Sequence, residues 1–212
     1  MRGTTLGPGA ARWQAGALGA ILRQMYQRTS TVSEAIRNIS SVRPLASLDL
    51  ALVGNCAVSA LIDPLARVVW CCMPRFDSPP VFHALLDSAQ GLPDHGCMAV
   101  QLENCSRSSQ AYVPGTAVLR TCLFNDDGES IEITDFAPRF QHHDRMFRPA
   151  QLVRRIRPLS GRPRVRITVR PCGDWGASAP EPTRGSHHLR YPLPATTLRL
   201  TTNAPPTYLA EG

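Results

Sequence analysis

The sequence contains no lysine, so all 23 basic residues among its 212 are arginines. Against 16 acidic residues they give a formal net charge of +7. A GC-rich genome produces this bias, and so does selection for a surface that binds polyanions, because arginine binds phosphate through two parallel hydrogen bonds. A charge of this size attracts acidic partners only weakly unless the arginines are clustered. The composition is therefore compatible with a polyanion-binding protein but does not require one.

The N-terminal region contains no apolar run long enough for a membrane-spanning helix, which requires about 20 residues. Its apolar stretch at residues 15–22 is short and is interrupted by Gly16 and Gly19. It also fits a secretory signal poorly, because no small-residue cleavage site follows between Arg23 and Arg28. We therefore expect no membrane partner.

The seven cysteines are an odd number, and none lies in a Cys-x-x-Cys motif. The neighbouring Cys71 and Cys72 point to opposite faces of a strand, so they cannot converge on one metal ion. The same objection applies to the adjacent histidines at residues 142–143 and 187–188. We therefore expect reduced, mostly buried thiols in a cytoplasmic protein that has no metal and no cofactor.

Motifs of several enzyme classes are also missing, among them the nucleophile elbow, the phosphate-binding glycine loop and the dinucleotide fingerprint. A chain of this length can bury one sizeable core, with or without an unstructured extension. Residues 1–47 have the composition of such an extension, since Thr29–Ser47 is rich in serine, threonine and arginine. We expect residues 1–47 to be a disordered or partly helical leader and residues 48–212 to form one domain.

Three short apolar segments open this domain and predict a meander of strands. Leu50–Val53, Ala57–Ile62 and Arg67–Met73 each have the length of a strand, and Asp63–Pro64 provides a turn between the second and the third. The third strand leads into a polar loop, Pro74–Ser78. Such a loop is held in place when regular structure flanks it on both sides.

A short helix is predicted after that loop. Ser78 is a suitable N-cap, and Pro79 suits the first helical position. Apolar residues between positions 81 and 86 then recur at helical spacing. Strand and helix together would hold the loop rigidly.

The same region resembles the amino-terminal domain of bacterial glycoside hydrolase family 15 proteins, the group of glucoamylases, glucodextranases and trehalase-like enzymes. The resemblance rests on Gly54-Asn55-Cys56, on Ala60-Leu61-Ile62, on the run Trp70-Cys71-Cys72-Met73-Pro74-Arg75-Phe76-Asp77-Ser78-Pro79, and on Phe82 with Leu85-Leu86. It extends to Tyr112–Thr116 and Thr134–Phe136. The turn Asp63–Ala66 departs from the Asp-Gly turn usual in the family.

Beyond residue 87 the pattern is that of strands. Met98–Leu102 alternates weakly, and Glu103–Gln110 has the composition of a polar loop. Ala117–Phe124 and Glu129–Phe136 flank Asn125–Gly128, which is a strong hairpin signal. We expect these two arms to pair with each other.

One carboxylate of the second arm is predicted to face the core. Ile131 and Ile133 share one face, and the same parity places Asp135 on that apolar side. An inward carboxylate is either hydrogen-bonded at the end of its strand or a site residue with a raised pKa. We favour the structural role, because Pro138 follows and ends the strand.

Gln151–Ile156 and Val165–Arg170 are predicted to pair with each other through the linker at residues 158–161. In the second of these strands arginines face one way and apolar residues the other. Residues 139–199 contain 13 arginines against three acidic residues. A basic module that binds nucleic acid is therefore the rival hypothesis, although stacking aromatics and nucleic-acid motifs are scarce.

The resemblance implies that catalysis takes place elsewhere in a longer protein. Inverting glycoside hydrolysis needs two carboxylates about 6.5–9.5 Å apart, and in the family both are glutamates of a helical barrel that this chain lacks. No catalytic residue is assigned in this chain, because none of its glutamates lies in a matching motif. The chain alone is expected to be inactive, and an α-glucoside substrate is expected only through the barrel.

The loop residues Arg75, Phe76 and Asp77 are the candidate site. The resemblance implies that they contact the substrate pocket or the interface with the catalytic barrel. The alternative is that Asp77 and Ser78 only cap a helix while Arg75 pairs with Asp77.

We therefore predict an all-β, antiparallel β-sandwich that supports and docks the catalytic barrel of an α-glucoside hydrolase, either in cis or as a split product. The supersandwich-like fold is expected to be truncated. A free-standing carbohydrate-binding module is a third hypothesis, and it would need a row of exposed aromatic residues. Trp70 and Trp175 are distant in sequence and do not predict such a row.

Overall fold

A computed structural model of the chain describes residues 37–38, 48–86, 92, 94–206 and 209. The chain divides into two units, residues 1–37 and 38–212, and the account below concerns the second. Apart from residues 37–38, the predicted leader lies outside the described residues.

The described residues form antiparallel strands and two short 3-10 helices. In chain order these are β1 Arg37–Asn38, β2 Ala51–Gly54, β3 Ser59–Ile62, β4 Val68–Cys72, β5 Pro80–Phe82, η1 Ala84–Leu86, β6 Cys97–Leu102, β7 Cys105–Tyr112, β8 Leu119–Asn125, β9 Ser130–Phe136, β10 Phe140–His142, β11 Arg145–Phe147, β12 Val153–Ser160, β13 Val165–Arg170, η2 Asp174–Gly176, β14 Thr183–Arg184, β15 His188–Pro192 and β16 Thr197–Thr201.

Two main sheets pack against each other. The first, sheet I, has the order β13-β6-β4-β3-β2, with β5 added beside β4, and the second, sheet II, contains the run β7-β8-β9-β12. Apolar side chains of both sheets meet in shared clusters: Leu119 of sheet II packs with Val53 and Ile62 of sheet I, and Ile133 packs with Val100. The predicted antiparallel β-sandwich is confirmed.

A third, smaller sheet contributes to the core. It has the order β14-β15-β16, and it buries Leu189 and Tyr191 in the same cluster as Val169 of β13. The Tyr191 hydroxyl donates to the Val169 carbonyl over 3.3 Å, which satisfies its polar end inside the core.

The predicted meander at the start of the domain is confirmed. β2 pairs with β3 and β3 with β4, in register Val53↔Ala60 and Ala60↔Cys71. The Asp63 carboxylate holds the second turn: its Oδ1 accepts from the backbone N–H groups of Leu65 and Arg67, over 3.0 and 2.9 Å. These bonds compensate for the left-handed conformation of Ala66, whose φ is 60°.

The helix predicted from Ser78 is wrong. Pro80–Phe82 forms β5, whose three residues are buried. The only helical segment among the residues described between 78 and 86 is the 3-10 turn η1. Ser78 and Pro79 each precede a proline, and a residue before proline is driven from the helical to the extended region. Val81 and Phe82 are also buried beside β4, and this burial stabilises the strand rather than a helix.

The polar loop predicted at 103–110 is also wrong. Most of it belongs to β7, which pairs with β8 from Cys105↔Asn125 to Tyr112↔Leu119. Polar side chains of this strand find partners across the sheets, since Gln110 Nε2 donates to Thr121 Oγ1 over 3.0 Å and to the Asp63 carbonyl over 2.9 Å. A polar sequence can form a strand when it is satisfied in this way.

The predicted pairing of the strands at 151–156 and 165–170 is a further error. β12 pairs with β9 in sheet II, whereas β13 pairs with β6 in sheet I. The linker at 161–164 therefore crosses from one sheet to the other rather than closing a hairpin. The hairpin predicted around Asn125–Gly128 is confirmed, because β8 and β9 pair on either side of it.

Candidate functional site

The loop between β4 and β5 presents the predicted site residues to solvent. Arg75 and Asp77 form a bidentate ion pair, with Nε to Oδ1 at 2.8 Å and Nη2 to Oδ2 at 2.9 Å. Their side chains are 71% and 53% exposed, and Phe76 between them is 62% exposed. The three predicted residues thus form one corner, with a ring flanked by two opposite charges.

Backbone hydrogen bonds fix this corner in place. The Ser78 N–H donates to the Arg75 carbonyl over 3.1 Å, and the Arg75 N–H donates to Ser78 Oγ over 3.3 Å. The Phe76 N–H donates to the Ala57 carbonyl over 3.1 Å, which ties the loop to the turn between β2 and β3. Ser78 therefore closes the loop on itself, and no helix follows for it to cap.

The Arg75–Asp77 pair shifts both side chains toward their charged forms. A hydrogen bond from Arg75 lowers the pKa of Asp77, and the bond to Asp77 raises the pKa of Arg75. Both groups are solvent-exposed, so the pair contributes little to the stability of the fold. Its effect is to hold two charges and their hydrogen-bonding edges in a defined orientation.

Asn55 joins this corner to a second loop region. Its Oδ1 accepts from the N–H groups of Ala57 and Val58 over 3.0 and 3.2 Å. Its Nδ2 donates to the carbonyls of Pro138 and Pro149 over 2.9 and 2.8 Å. All four hydrogen bonds are made by one buried side chain, so the turn after β2 and both ends of residues 138–149 are held together.

Between those two prolines lies an exposed hairpin. Within the described residues β10 and β11 pair only with each other, in register Phe140↔Phe147, and all six of their residues are exposed. The rings of Phe140 and Phe147 lie 5.0 Å apart. His143 and Asp144 form the turn with φ of 45° and 59°, and these residue types tolerate that region better than most. An isolated two-stranded ribbon is marginal in water.

We call these joined segments the loop surface, defined as Cys56, Arg75–Asp77 and residues 139–148. Arg139 completes the connection, since its Nη1 lies 3.1 Å from the Cys56 sulfur. The surface combines phenylalanine, methionine and arginine side chains, which are enriched in protein interfaces. The sequence predicted only the Arg75–Asp77 part of it. The paired phenylalanines flanking a His-His-Asp turn were the available signal for the rest.

The carboxylates inside the sandwich are bound by arginines. Asp63 Oδ2 accepts from Arg67 Nε over 2.5 Å, and the fully buried Asp135 accepts two bonds from Arg154 over 2.7 and 3.0 Å. This places Asp135 on the apolar side, as predicted, and gives it the hydrogen-bonded role that we favoured.

A third carboxylate, Glu132, lies on the outer face of sheet II. Both Arg120 and Arg157 bind it, Arg157 Nη2 over 3.0 Å. Burial raises its pKa, but the two arginines outweigh burial, so the pKa of Glu132 is below its usual value. A general acid requires the opposite shift, and the geometry of Glu132 therefore fits a structural ion pair.

The burial of the cysteines agrees with the sequence prediction for four of the seven. All seven cysteines are unbridged, and four of them (Cys71, Cys72, Cys97 and Cys172) are buried. Burial raises the pKa of Cys71 to about 12. Within the described residues no three metal-ligating side chains converge, and no helix is long and apolar enough to cross a membrane.

Comparison with known proteins finds one family and several enzymes to which this chain is similar. Residues 43–192 match the family described as trehalase-like, N-terminal. The trehalase of Mycolicibacterium smegmatis is 30% identical over 175 residues, which cover 73% of this chain and 26% of that protein. The trehalase of Mycobacterium tuberculosis is 34% identical over 98 residues, 44% of this chain and 14% of that protein.

A third relative, trehalase 1 of Sulfolobus acidocaldarius, is 40% identical over 90 residues, 42% of this chain and 15% of that protein. The chain thus spans about a quarter or less of the length of these relatives. No solved structure matches it.

Proposed function

The chain belongs to the trehalase-like N-terminal domain family, and from this premise we propose that it is the non-catalytic N-terminal domain of a glycoside hydrolase that acts on α-glucosides such as trehalose. In this proposal it supports and docks a catalytic helical barrel, supplied in cis or as a split product. The barrel provides the two catalytic carboxylates of the family 15 mechanism, and the sandwich provides a rigid surface against it.

The loop surface carries this proposal. Phe76, Phe140, Met146 and Phe147 are about half or more exposed, and they occur in segments that Asn55 and the Phe76–Ala57 hydrogen bond hold together. Several adjacent exposed apolar side chains on a monomer mark an interaction site. The Arg75–Asp77 pair adds planar, oriented hydrogen-bonding groups on either side of Phe76, which suits a contact of defined register.

A second surface fits attachment to a larger assembly. A cleft of about 750 Å³ lies between β12, β13 and the chain after β16, and its apolar lining includes Ile156, Ile167 and Leu200. β12 and β13 are the last strands of their sheets on this side within the described residues. An additional segment of a longer polypeptide placed there would cover an apolar surface and pair with an open edge.

The arginines between residues 164 and 170 are expected not to bind nucleic acid. Arg164 Nε lies 4.0 Å from a carboxylate oxygen of Glu103, and Arg170 has an interaction partner of its own. Nucleic-acid binding would need a stripe of uncommitted charges with stacking rings between them. The cytoplasm is the compartment that we propose, because buried cysteines without a disulfide suit a reducing environment.

The proposal is tested by complementation. The 212-residue chain is co-expressed with the part of the M. smegmatis trehalase that it does not cover, and complex formation and trehalose hydrolysis are measured. We expect the two polypeptides to co-purify, hydrolysis to require both, and the chain alone to release no glucose.

Variants locate the contact. Phe76→Ala combined with Phe147→Ala should abolish co-purification, because it removes two rings from the loop surface. Leu52→Ala, which changes an exposed apolar residue of β2 outside both surfaces, should leave it intact. Glucose release by the chain alone, absence of a complex, or equal binding by the Phe76/Phe147 variant would overturn the proposal.

A further inference from the structure

The third sheet, formed by β14, β15 and β16, buries one face and exposes the other. Leu189 and Tyr191 of β15 are buried in the core, so the residues that alternate with them point away from it. On β16, Arg199 is exposed between two half-buried leucines. We call the outward side of this sheet the basic face, defined as Thr183, His188, Arg190, Arg199 and Thr201.

Two arginines lie directly opposite each other on the basic face. Arg190 of β15 pairs in register with Arg199 of β16, and Thr183 of β14 lies on the other side of Arg190. Both arginines are exposed. Like charges at directly opposed positions of a sheet are destabilising, because the two side chains start only about 5 Å apart. The two guanidinium groups therefore repel each other unless a negative charge comes between them.

The fold does not supply that negative charge from the described residues. No ion pair among them includes Arg190 or Arg199. The sequence from residue 182 to residue 206, which contains all three strands of the sheet, has no acidic residue. The basic face thus differs from the outer face of sheet II, where the carboxylate of Glu132 binds two arginines.

His188 extends the positive cluster along β15. It lies two residues before Arg190 on the same face. Its imidazole packs over Gly185, where a Cβ would be 2.2 Å from His188 Cε1. Burial lowers the pKa of His188, and three positive neighbours lower it further, namely Arg199, Arg190 and His187. The ring is therefore close enough to both arginines to respond to a negative charge that binds between them.

From this arrangement we infer that the basic face binds carboxylate side chains of an acidic polypeptide segment. A carboxylate placed between Arg190 and Arg199 accepts hydrogen bonds from both guanidinium groups and cancels their repulsion. The exposed hydroxyl of Thr201, two residues from Arg199 on the same face, adds a neutral donor. The site is separate from the loop surface and does not depend on the docking proposal.

A phosphate group or a nucleic acid suits this face less well. Phosphate sites commonly add backbone N–H groups from a glycine-rich loop or a helix N-terminus, whereas the basic face consists of side chains on paired strands. Binding of single-stranded nucleic acid relies on stacking rings, and Tyr191, the aromatic residue of these strands, is buried on the opposite face. Arginine on an open, flat surface is typical of contacts with proteins.

The test measures binding of fluorescein-labelled hexaglutamate to the 212-residue chain by fluorescence anisotropy, at low ionic strength, where charges are screened little. The double variant Arg190→Gln, Arg199→Gln should lose affinity about ten-fold or more. It should remain folded, because it removes a repulsion. The matched control is Arg162→Gln, Arg166→Gln, which removes two exposed arginines elsewhere and has the same net charge. The affinity of this control should stay within about two-fold of the parent.

The imidazole of His188 reports whether the peptide reaches the basic face. The pKa of His188, followed by NMR, should rise when hexaglutamate binds to the parent, because carboxylates then offset the neighbouring positive charges. It should rise in the Arg190→Gln, Arg199→Gln variant without peptide, because the charges themselves are gone. These two shifts separate a contact at this face from attraction by the net charge of the chain.

The inference is rejected by any of three results: no binding of hexaglutamate, equal losses of affinity in the two double variants, or no change in the titration of His188 on binding. Tighter binding of inorganic phosphate or of oligothymidylate, lost in the Arg190→Gln, Arg199→Gln variant, would assign the face to another anion and would also reject it. None of these variants changes the loop surface. Complex formation with the uncovered part of the M. smegmatis trehalase is therefore a separate measurement, and the two proposals can fail separately.

Discussion

Removing the carboxylate of Asp135 is the perturbation whose effect on stability follows most directly from the structure. Asp135 is completely buried, and the side chain of its partner Arg154 is 4% exposed. Arg154 donates two bonds to Asp135, and its Nη1 has no hydrogen-bond partner within the described residues. The Asp135→Asn variant would keep the volume of the side chain but leave a buried guanidinium without a counter-charge.

The uncompensated charge of Arg154 determines how much unfolding free energy the variant loses. Taking an ion out of water costs several kcal/mol in a real protein, and breaking a buried pair by removing one partner destabilises by about 3–5 kcal/mol. A domain of this kind has a free energy of unfolding of about 5–15 kcal/mol. We therefore expect Asp135→Asn to remove between about a fifth and all of the stability. The double variant Asp135→Leu, Arg154→Met should recover most of the loss, because apolar residues of similar volume often replace a buried ion pair without cost.

Urea unfolding followed by tryptophan fluorescence measures these differences, and the cycle of the parent, Asp135→Leu, Arg154→Met and their double variant gives the coupling energy. Asp77→Asn is the control, because it breaks an ion pair with the same bidentate geometry at the surface, and its urea midpoint should equal that of the parent. The reasoning is refuted if Asp135→Asn lies within about 1 kcal/mol of the parent, or if the double variant is as unstable as the single one.

Two further predictions concern Glu132 and Gly176. The pKa of Glu132 is lowered below its ordinary 4.5, so the unfolded chain binds more protons than the folded one. The stability from this group should be complete above pH 4.5 and lost as the pH falls through the folded-state pKa; Glu132→Gln should flatten the acid limb of stability against pH, and an unchanged limb contradicts this. Gly176→Ala combines a positive φ with overlap against His83, while Gly115→Ala has a positive φ and open space around it. The Gly115 variant should lose about 1 kcal/mol and the Gly176 variant clearly more in the same urea assay, so equal losses would show that the contact with His83 is not tight.

Strands with clear local signals were predictable from the sequence. The three segments of the first meander and the hairpin around Asn125–Gly128 are found close to their expected places. In each case alternation of apolar residues or turn chemistry acts over a few residues, and the structure adds only the choice of partner strand. The inward position of Asp135 followed from parity alone.

The predictions were wrong where contacts between residues distant in sequence determine which segments form strands and how the strands pair. β7 is polar, and its side chains are satisfied by groups such as Thr121 and the Asp63 carbonyl that are distant in sequence. The strands β12 and β13 are neighbours in sequence, but the sandwich places them in different sheets. The helix at Ser78 was avoidable, since two successive prolines at 79 and 80 favour extended backbone before them.

Side-chain contacts also differ in whether the sequence could predict them. The Arg75–Asp77 pair was within reach of sequence reasoning, because the two residues are close in the chain and carry opposite charges. The contact between the rings of Trp70 and Trp175 was not, because nothing local indicates that η2 folds back onto β5 beside β4. We rejected an aromatic platform on the ground of distance in sequence, and the fold removes that distance.

The excess of arginine has a physical use that a count of charges does not reveal. Asp63, Asp135 and Glu132 are buried carboxylates, and each one is bound by one or two arginines. A buried carboxylate has two oxygens to satisfy, and the planar guanidinium can satisfy both at once, which a lysine ammonium does less well. Part of the positive charge therefore neutralises carboxylates that the fold removes from solvent. These arginines are already paired within the fold, so the count of 23 arginines overstates what a polyanion could contact.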